Sequence, residues 1–295
     1  MSEAQTLTVG DGLPAVEGVG HRFVNAGGLR VHLGEAGEGD PVLLLHGWPQ
    51  HWYMWRRVIE RMAPSHRLLA PDLRGFGWTE TPGTGYDCET FARDQIALLD
   101  ELGLERVKLI GHDWGGWTAM LLGLLYPERI ERMVVCNAPH PWPRLQPRLA
   151  AELWRGWYTW VMATPGLGTA ALRRGFPRVI LTNGNVGSPF SDEEVDGYVR
   201  KLAEPERVRA TIGLYRYYQR VFREAAVGRW ADQRLTVPTL LLFGEQDLYV
   251  SPRLIGDPGG RADRLRIEMV PDSGHFVVDE KPELVAARAL DLFAA

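Results

Sequence analysis

A mostly parallel α/β sheet with helices on both faces, interrupted by one inserted helical segment, is the architecture this sequence predicts. Three observations carry it. Short apolar runs alternate with helical patterns through the first half of the chain. Between about residues 138 and 237 the alternation stops, and helical stretches occur with no convincing strand. Two further strand runs then follow. Sheet runs return after the interruption, so the helical stretch reads as a cap inserted into one sheet rather than as a separate domain. The expected organisation is a loose arm over residues 1–20, a sheet domain over 21–137 and 238–295, and a helical cap over 138–237.

Each element has a local reason. Pro41 to Leu45 is a strand run ending at His46-Gly47, and Arg67 to Ala70 is another ending at Pro71-Asp72. Thr90 to Leu102 places Phe91, Leu98, Leu99 and Leu102 on one helical face, with Gly103 as its stop. Val107 to Ile110 reads as a buried strand. Thr118 to Tyr126 is apolar almost all round and is closed by Pro127, as a buried helix should be. Arg132 to Cys136, Thr239 to Phe243 and Leu265 to Val270 complete the strand runs. Pro282 opens a last helix with Val285, Ala289 and Leu292 on one face. The cap region is rich in aromatics, including Trp142, Trp154, Trp157, Trp160 and Trp230.

Composition narrows the function classes. The chain has 295 residues, 45% hydrophobic and 24% charged, as in ordinary globular proteins. A net charge of −4 gives no reason to expect nucleic acid or an anionic membrane as partner. No apolar run approaches the ~18 residues that span a bilayer, and the first residues lack a signal-peptide pattern. Cys88 and Cys136 fit neither a disulfide framework nor a zinc site, which points to a reduced, cytoplasmic setting. The histidines show no ligand spacing, so neither metal nor cofactor is expected. Oligomeric state is left open, a homodimer included.

Chemistry is concentrated at the strand ends. Gly111-His112-Asp113-Trp114-Gly115 follows a strand and opens a helix, the layout of a nucleophile elbow with Asp in place of Ser. Alone, the pattern also fits a helix N-cap aspartate. A carboxylate is already an anion at neutral pH and can attack a saturated carbon without a base. The ester it forms must then be hydrolysed, which requires a base and an oxyanion hole. His275, in Asp272-Ser273-Gly274-His275-Phe276, is the candidate base. Asp247 is its candidate partner, with Glu245 a weaker one. The backbone N–H groups of Trp48 and Trp114 are the expected oxyanion donors, and the Trp48–Pro49 bond is a candidate for the cis form. Both tryptophans are expected to touch substrate. His46 and His112 read as turn-shaping residues.

The run His46-Gly47-Trp48-Pro49 continuing into Gln50-His51-Trp52-Tyr53-Met54-Trp55-Arg56 resembles the epoxide hydrolases of the α/β-hydrolase superfamily, as do Gly111 to Gly116 and Asp72-Leu73-Arg74-Gly75-Phe76-Gly77. The resemblance covers the sheet domain from about residue 21 onward and, more loosely, the cap. It implies an α/β-hydrolase fold, an apolar epoxide and water as substrates, and two cap tyrosines that hold the epoxide oxygen. Tyr158, seven residues before Pro165-Gly166, matches one. Leu214-Tyr215-Arg216 resembles the stretch holding the other, with Tyr217 and Tyr218 as alternatives to Tyr215. Two other readings compete. A haloalkane dehalogenase would share the nucleophile but have no use for paired tyrosine acids. A non-catalytic ligand-binding protein of the same fold would be expected to have a broken triad.

Overall fold

A computed structural model describes residues 12–142 and 156–295. Eight strands form one sheet: β1 (Gly20–Ala26), β2 (Leu29–Ala36), β3 (Asp40–Leu45), β4 (His66–Pro71), β5 (Val107–His112), β6 (Ile130–Cys136), β7 (Thr239–Gly244) and β8 (Leu265–Val270). Their spatial order is β1-β2-β4-β3-β5-β6-β7-β8. The two edge pairings β1/β2 and β2/β4 are antiparallel, and every pairing from β4 to β8 is parallel. The apolar runs that predicted the sheet follow from its being covered on both faces. Along β3, Leu43 and Leu45 enter one hydrophobic cluster, while Val42 and Leu44 enter the cluster on the opposite face. All four are fully buried, each contributing up to about 1.5–3 kcal/mol relative to exposure.

Helices α1 (Arg56–Met62), α2 (Cys88–Glu101) and α3 (Trp114–Leu125) connect the strands. Asp87 caps α2, accepting the Thr90 N–H at 2.8 Å. Its Phe91, Leu98 and Leu99 are buried as their spacing requires, while Leu102 is half-buried. Nearly every side chain of α3 is buried, which explains its unbroken apolar composition.

Between β6 and β7 the described residues form five helices and no strand: α4 (Trp157–Ala163), α5 (Leu167–Arg173), α6 (Phe176–Asn183), α7 (Asp192–Leu202) and α8 (Pro205–Ala226). Ser191 and Glu194 form a capping box at the start of α7. Glu194 also pairs with Arg56 at 2.6 Å, and Arg56 pairs with Asp279 at 2.7 Å, joining this helical layer to the sheet domain. The expected cap position Trp154 lies outside the described residues. After β8 come α9 (Val277–Glu280) and α10 (Pro282–Ala294). On α10, Val285, Ala289 and Phe293 are buried, while Leu292 is only half-buried.

Two features depart from the sequence reading. The hairpin β1–β2, turning at Gly27-Gly28, was not anticipated. In β2 the inward side chains include His32, which is fully buried and bonds Asp72 at 2.7 Å. A buried polar residue that finds its partner 40 positions away breaks the local alternation by which a strand is recognised. The arm expected over residues 1–20 is also partly docked. Residues 1–11 lie outside the described residues, but Leu13 is buried in the core and Val16 and Val19 pack against it.

Candidate active site

The site is assembled at the carboxyl ends of the parallel strands, where such sheets place reactive groups. Asp113 follows β5, the fifth strand across the sheet, and caps α3 with φ 51° and ψ −117°. This left-handed backbone is unfavourable for a non-glycine residue, and it holds the side chain out of the turn. The turn closes because its neighbours lack side chains. A Cβ on Gly115 would sit 2.1 Å from the Leu45 carbonyl oxygen, and one on Gly47 would sit 2.5 Å from Asp113 Cβ. The backbone of Asp113 is tied on both sides: its N–H donates to the Cys136 carbonyl at 3.0 Å, and its carbonyl accepts the Trp117 N–H at 2.8 Å.

The Asp113 carboxylate accepts the Trp48 N–H at 2.9 Å and a second backbone N–H from Trp114. These are the two donors expected from the sequence, and the Trp48–Pro49 bond is cis. With 16% of its side chain exposed, Asp113 opens onto a cavity rather than onto bulk water. Burial raises its pKa to about 6, although His275 and the two N–H groups pull the other way.

His275 follows β8 on the loop leading into α9. Its Nδ1 lies 2.8 Å from Asp247 Oδ2, and its Nε2 lies 3.7 Å from Asp113 Oδ1. Asp247 is 1% exposed, and its remaining lone pairs accept the N–H groups of Tyr249 (2.8 Å) and Val250 (3.0 Å). Burial disfavours the charge on Asp247, but His275 and the hydrogen bonds outweigh it and leave the pKa below the usual carboxylate range. Burial likewise disfavours the imidazolium, but Asp247 and then Asp113 raise the His275 pKa to about 9. Glu245, the weaker candidate for the partner, is exposed.

Aromatic rings arch over Asp113. Tyr215 stands edge-on to Trp48 and to Trp114, with ring centroids 5.3 and 6.0 Å apart. Tyr158 stands 5.9 Å from Tyr215 and 5.5 Å from Tyr249, and Tyr249 stands 5.4 Å from His275. Burial pushes the Tyr158 and Tyr215 phenols well above their ordinary pKa, so both are neutral donors near pH 7. Of the alternatives on α8, Tyr217 faces Cys88 and Glu89, away from the carboxylate. Tyr218 lines the cavity beside Asp113 and stands edge-on to Trp114 at 5.8 Å.

Several residues were not anticipated. Asn137, after β6, has φ 46° and donates from Nδ2 to Asp247 (2.8 Å) and to the Gly274 carbonyl (3.1 Å). It therefore fixes the carboxylate that fixes the histidine. Glu280 accepts three backbone N–H groups, from Gly274 (2.7 Å), Phe276 (3.1 Å) and Val186 (3.1 Å), binding the histidine loop to the helical layer. Tyr249 donates to the Ile180 carbonyl at 2.9 Å, a further tie to that layer. The one available sequence signal was that Asn137 and Tyr249 lie just beyond strand ends. His46 and His112 do hold turns: His46 accepts the Leu73 N–H at 2.9 Å, and His112 bonds the His275 carbonyl at 2.8 Å. Among the described residues no cluster of three or more His, Cys, Asp or Glu could hold a metal ion. No described helix is long and apolar enough to cross a membrane.

The arrangement brings together a carboxylate that accepts two backbone N–H groups, an imidazole oriented by a second carboxylate, and neutral phenols nearby. Residues 40–282 match the family model described as the alpha/beta hydrolase fold. The chain is 33% identical to the soluble epoxide hydrolase of Corynebacterium sp. (strain C12), over 93% of this chain and 97% of that protein. It is 30% identical to epoxide hydrolase 4 of Mus musculus, over 88% of this chain and 74% of that protein. Among solved structures it is similar to the unliganded epoxide hydrolase CorEH, with a TM-score of 0.79 and 31% identity, covering 94% of this chain and 99% of that one.

Proposed function

The chain belongs to the epoxide hydrolases of the α/β-hydrolase fold family, and from that premise we propose that it converts epoxides to vicinal diols through a covalent ester on Asp113. The observation that carries the reading is the set of contacts on one carboxylate. Asp113 is held by the Trp48 and Trp114 N–H groups and faced by His275 and by buried phenols.

In the first step an Asp113 oxygen attacks an epoxide carbon and the ring C–O bond breaks. Tyr158 and Tyr215 donate to the departing oxygen, which leaves as a hydroxyl once it has taken a proton. In the second step His275 Nε2 takes a proton from water, and the hydroxide attacks the ester carbonyl. The Trp48 and Trp114 N–H groups hold the resulting oxyanion. Its collapse releases the diol and restores the Asp113 carboxylate, and the proton on His275 returns to the phenolate through the site or solvent. Asp247 and Asn137 keep the imidazole oriented throughout.

The two steps are coupled electrostatically. The Asp113 charge is one of the causes that hold the His275 pKa up. Esterification removes that charge, so the imidazole pKa falls when a neutral base is needed. The resting carboxylate must be ionised to attack. Ester formation is therefore expected to fall about ten-fold per pH unit below about pH 6, measured by rapid-quench mass spectrometry of a single turnover.

Two measurements test the reading. Single turnover of styrene oxide in heavy-oxygen water should leave one label in the Asp113 side chain, because water attacks the acyl carbon. An unlabelled Asp113 alongside a labelled diol would mean that water opens the ring directly. A haloalkane dehalogenase is the competing reading. Faster release of bromide from a bromoalkane than of diol from any epoxide would favour it. The reduced setting read from the cysteines leads us to propose a cytoplasmic enzyme, with oligomeric state open to a homodimer.

A further inference from the structure

Deepening that reading, and resting on it, we propose that this enzyme takes epoxides carrying a single apolar arm, and that Val221 and Ala225 set how long the arm can be.

Among the described residues, a cavity opens at Asp113 and runs along α8. One wall is a face of α8 bearing Tyr218, Val221 and Ala225, which are spaced three and four apart as one helical stripe. The opposite wall is the segment after β7, bearing Tyr249, Val250 and Leu254. Trp114 and Trp117 line it near the nucleophile. The seven-residue step from Tyr218 to Ala225, at 1.5 Å rise per residue, is a corridor of about 10 Å. That length suits a phenyl ring or a medium alkyl chain. The Nδ2 of Asn137, on the same cavity, is already committed to Asp247 and Gly274, and most of the lining is apolar, which suits an apolar arm.

The surroundings of Trp48, whose N–H meets Asp113, are tightly packed. Trp48 is locked by its own N–H on Asp113, by Nε1 on Thr211 Oγ1 at 3.3 Å, and by the Tyr215 ring at its edge. The space bounded by His46, Trp48, Phe76 and Leu214 does not admit a water molecule. In-line attack by Asp113 places the two epoxide carbons across the carboxylate. A substituent on the first carbon can run along α8, but a bulky one on the second would have to displace Trp48. That ring cannot move without breaking its bond to Thr211 and the packing of Tyr215. Terminal epoxides fit this geometry, and epoxides flanked by two large groups do not.

The test compares kcat/KM for styrene oxide and trans-stilbene oxide, and for 1,2-epoxybutane and 1,2-epoxydecane, on the wild type and on Ala225→Phe and Val221→Phe. The wild type is expected to prefer styrene oxide by about 100-fold, the size of a steric exclusion within one pocket. Each variant should lower the ratio of 1,2-epoxydecane to 1,2-epoxybutane turnover by about ten-fold, because the added ring shortens the corridor. The ratio is internal to each variant, so partial loss of folded protein cancels. If neither variant folds, the wild-type comparison decides. Equal turnover of styrene oxide and trans-stilbene oxide, or an unchanged chain-length ratio in the folded variants, would overturn the inference and leave epoxide hydrolysis intact. Failure of the wild type to hydrolyse any of the four would defeat both.

Discussion

Replacing His275 with Gln is expected to stall the enzyme as an ester on Asp113, with steady-state turnover reduced by about 10²–10⁴-fold, the worth of a positioned general base. Gln keeps a donor for the buried Asp247 oxygen that His275 Nδ1 now meets at 2.8 Å, so the loop held by Glu280 and Gly184 has no reason to move. The nucleophile and both N–H donors remain, so the first step survives. Its pH window shifts in a definite direction. His275 is one of the groups that lower the Asp113 pKa, so removing it lets that pKa rise above about 6. Trapping should therefore be more complete at about pH 8–9 than near neutrality. Intact-mass measurement should show the protein heavier by the mass of one epoxide, and peptide mapping should put the increment on Asp113. An unchanged mass across a broad epoxide panel, with the variant folded, would mean that no ester forms.

The second large effect is expected from the phenols. The double variant Tyr158→Phe/Tyr215→Phe should slow ester formation by about 10³-fold or more, while each single variant costs about 10- to 100-fold because the other phenol still donates. Phe retains the rings, whose edge-on packing at 5.9 Å and against Trp48 and Trp114 shapes the arch, so stability should change little. The loss falls on the first step alone. Burst kinetics should therefore show slower ester formation with an unchanged rate of ester hydrolysis. Ring opening within ten-fold of the wild type in the double variant would remove the tyrosines from the acid role. A larger effect from Tyr218→Phe than from Tyr215→Phe would assign the second donor to Tyr218, which also faces the cavity.

Much of the sheet was legible because parallel strands covered on both faces are written as continuous apolar runs, and helices as one-sided stripes. The elbow was legible because its glycines are local necessities. Gly115 abuts the Leu45 carbonyl and Gly47 abuts Asp113, so the turn and the aspartate it presents travel together in the sequence. The edge hairpin was not legible, because His32 in β2 depends on Asp72 for its burial.

Local rules therefore determined the order of the strands along the chain and singled out Asp113, His275 and Asp247 as candidates at strand ends, while the donors expected at Trp48 and Trp114 rested on topology. Which tyrosines of α8 can meet the carboxylate was decided only by packing. Positions 215 and 218 share one helical face and 217 lies on the other, but periodicity does not say which face turns inward. Asn137 and Glu280 escaped for the same reason. Asn137 acts on residues 110 and 137 positions away, and Glu280 reaches Val186 94 positions away. A chain encodes hydrogen bonds over such distances only through the fold that brings their ends within 3 Å or so of each other.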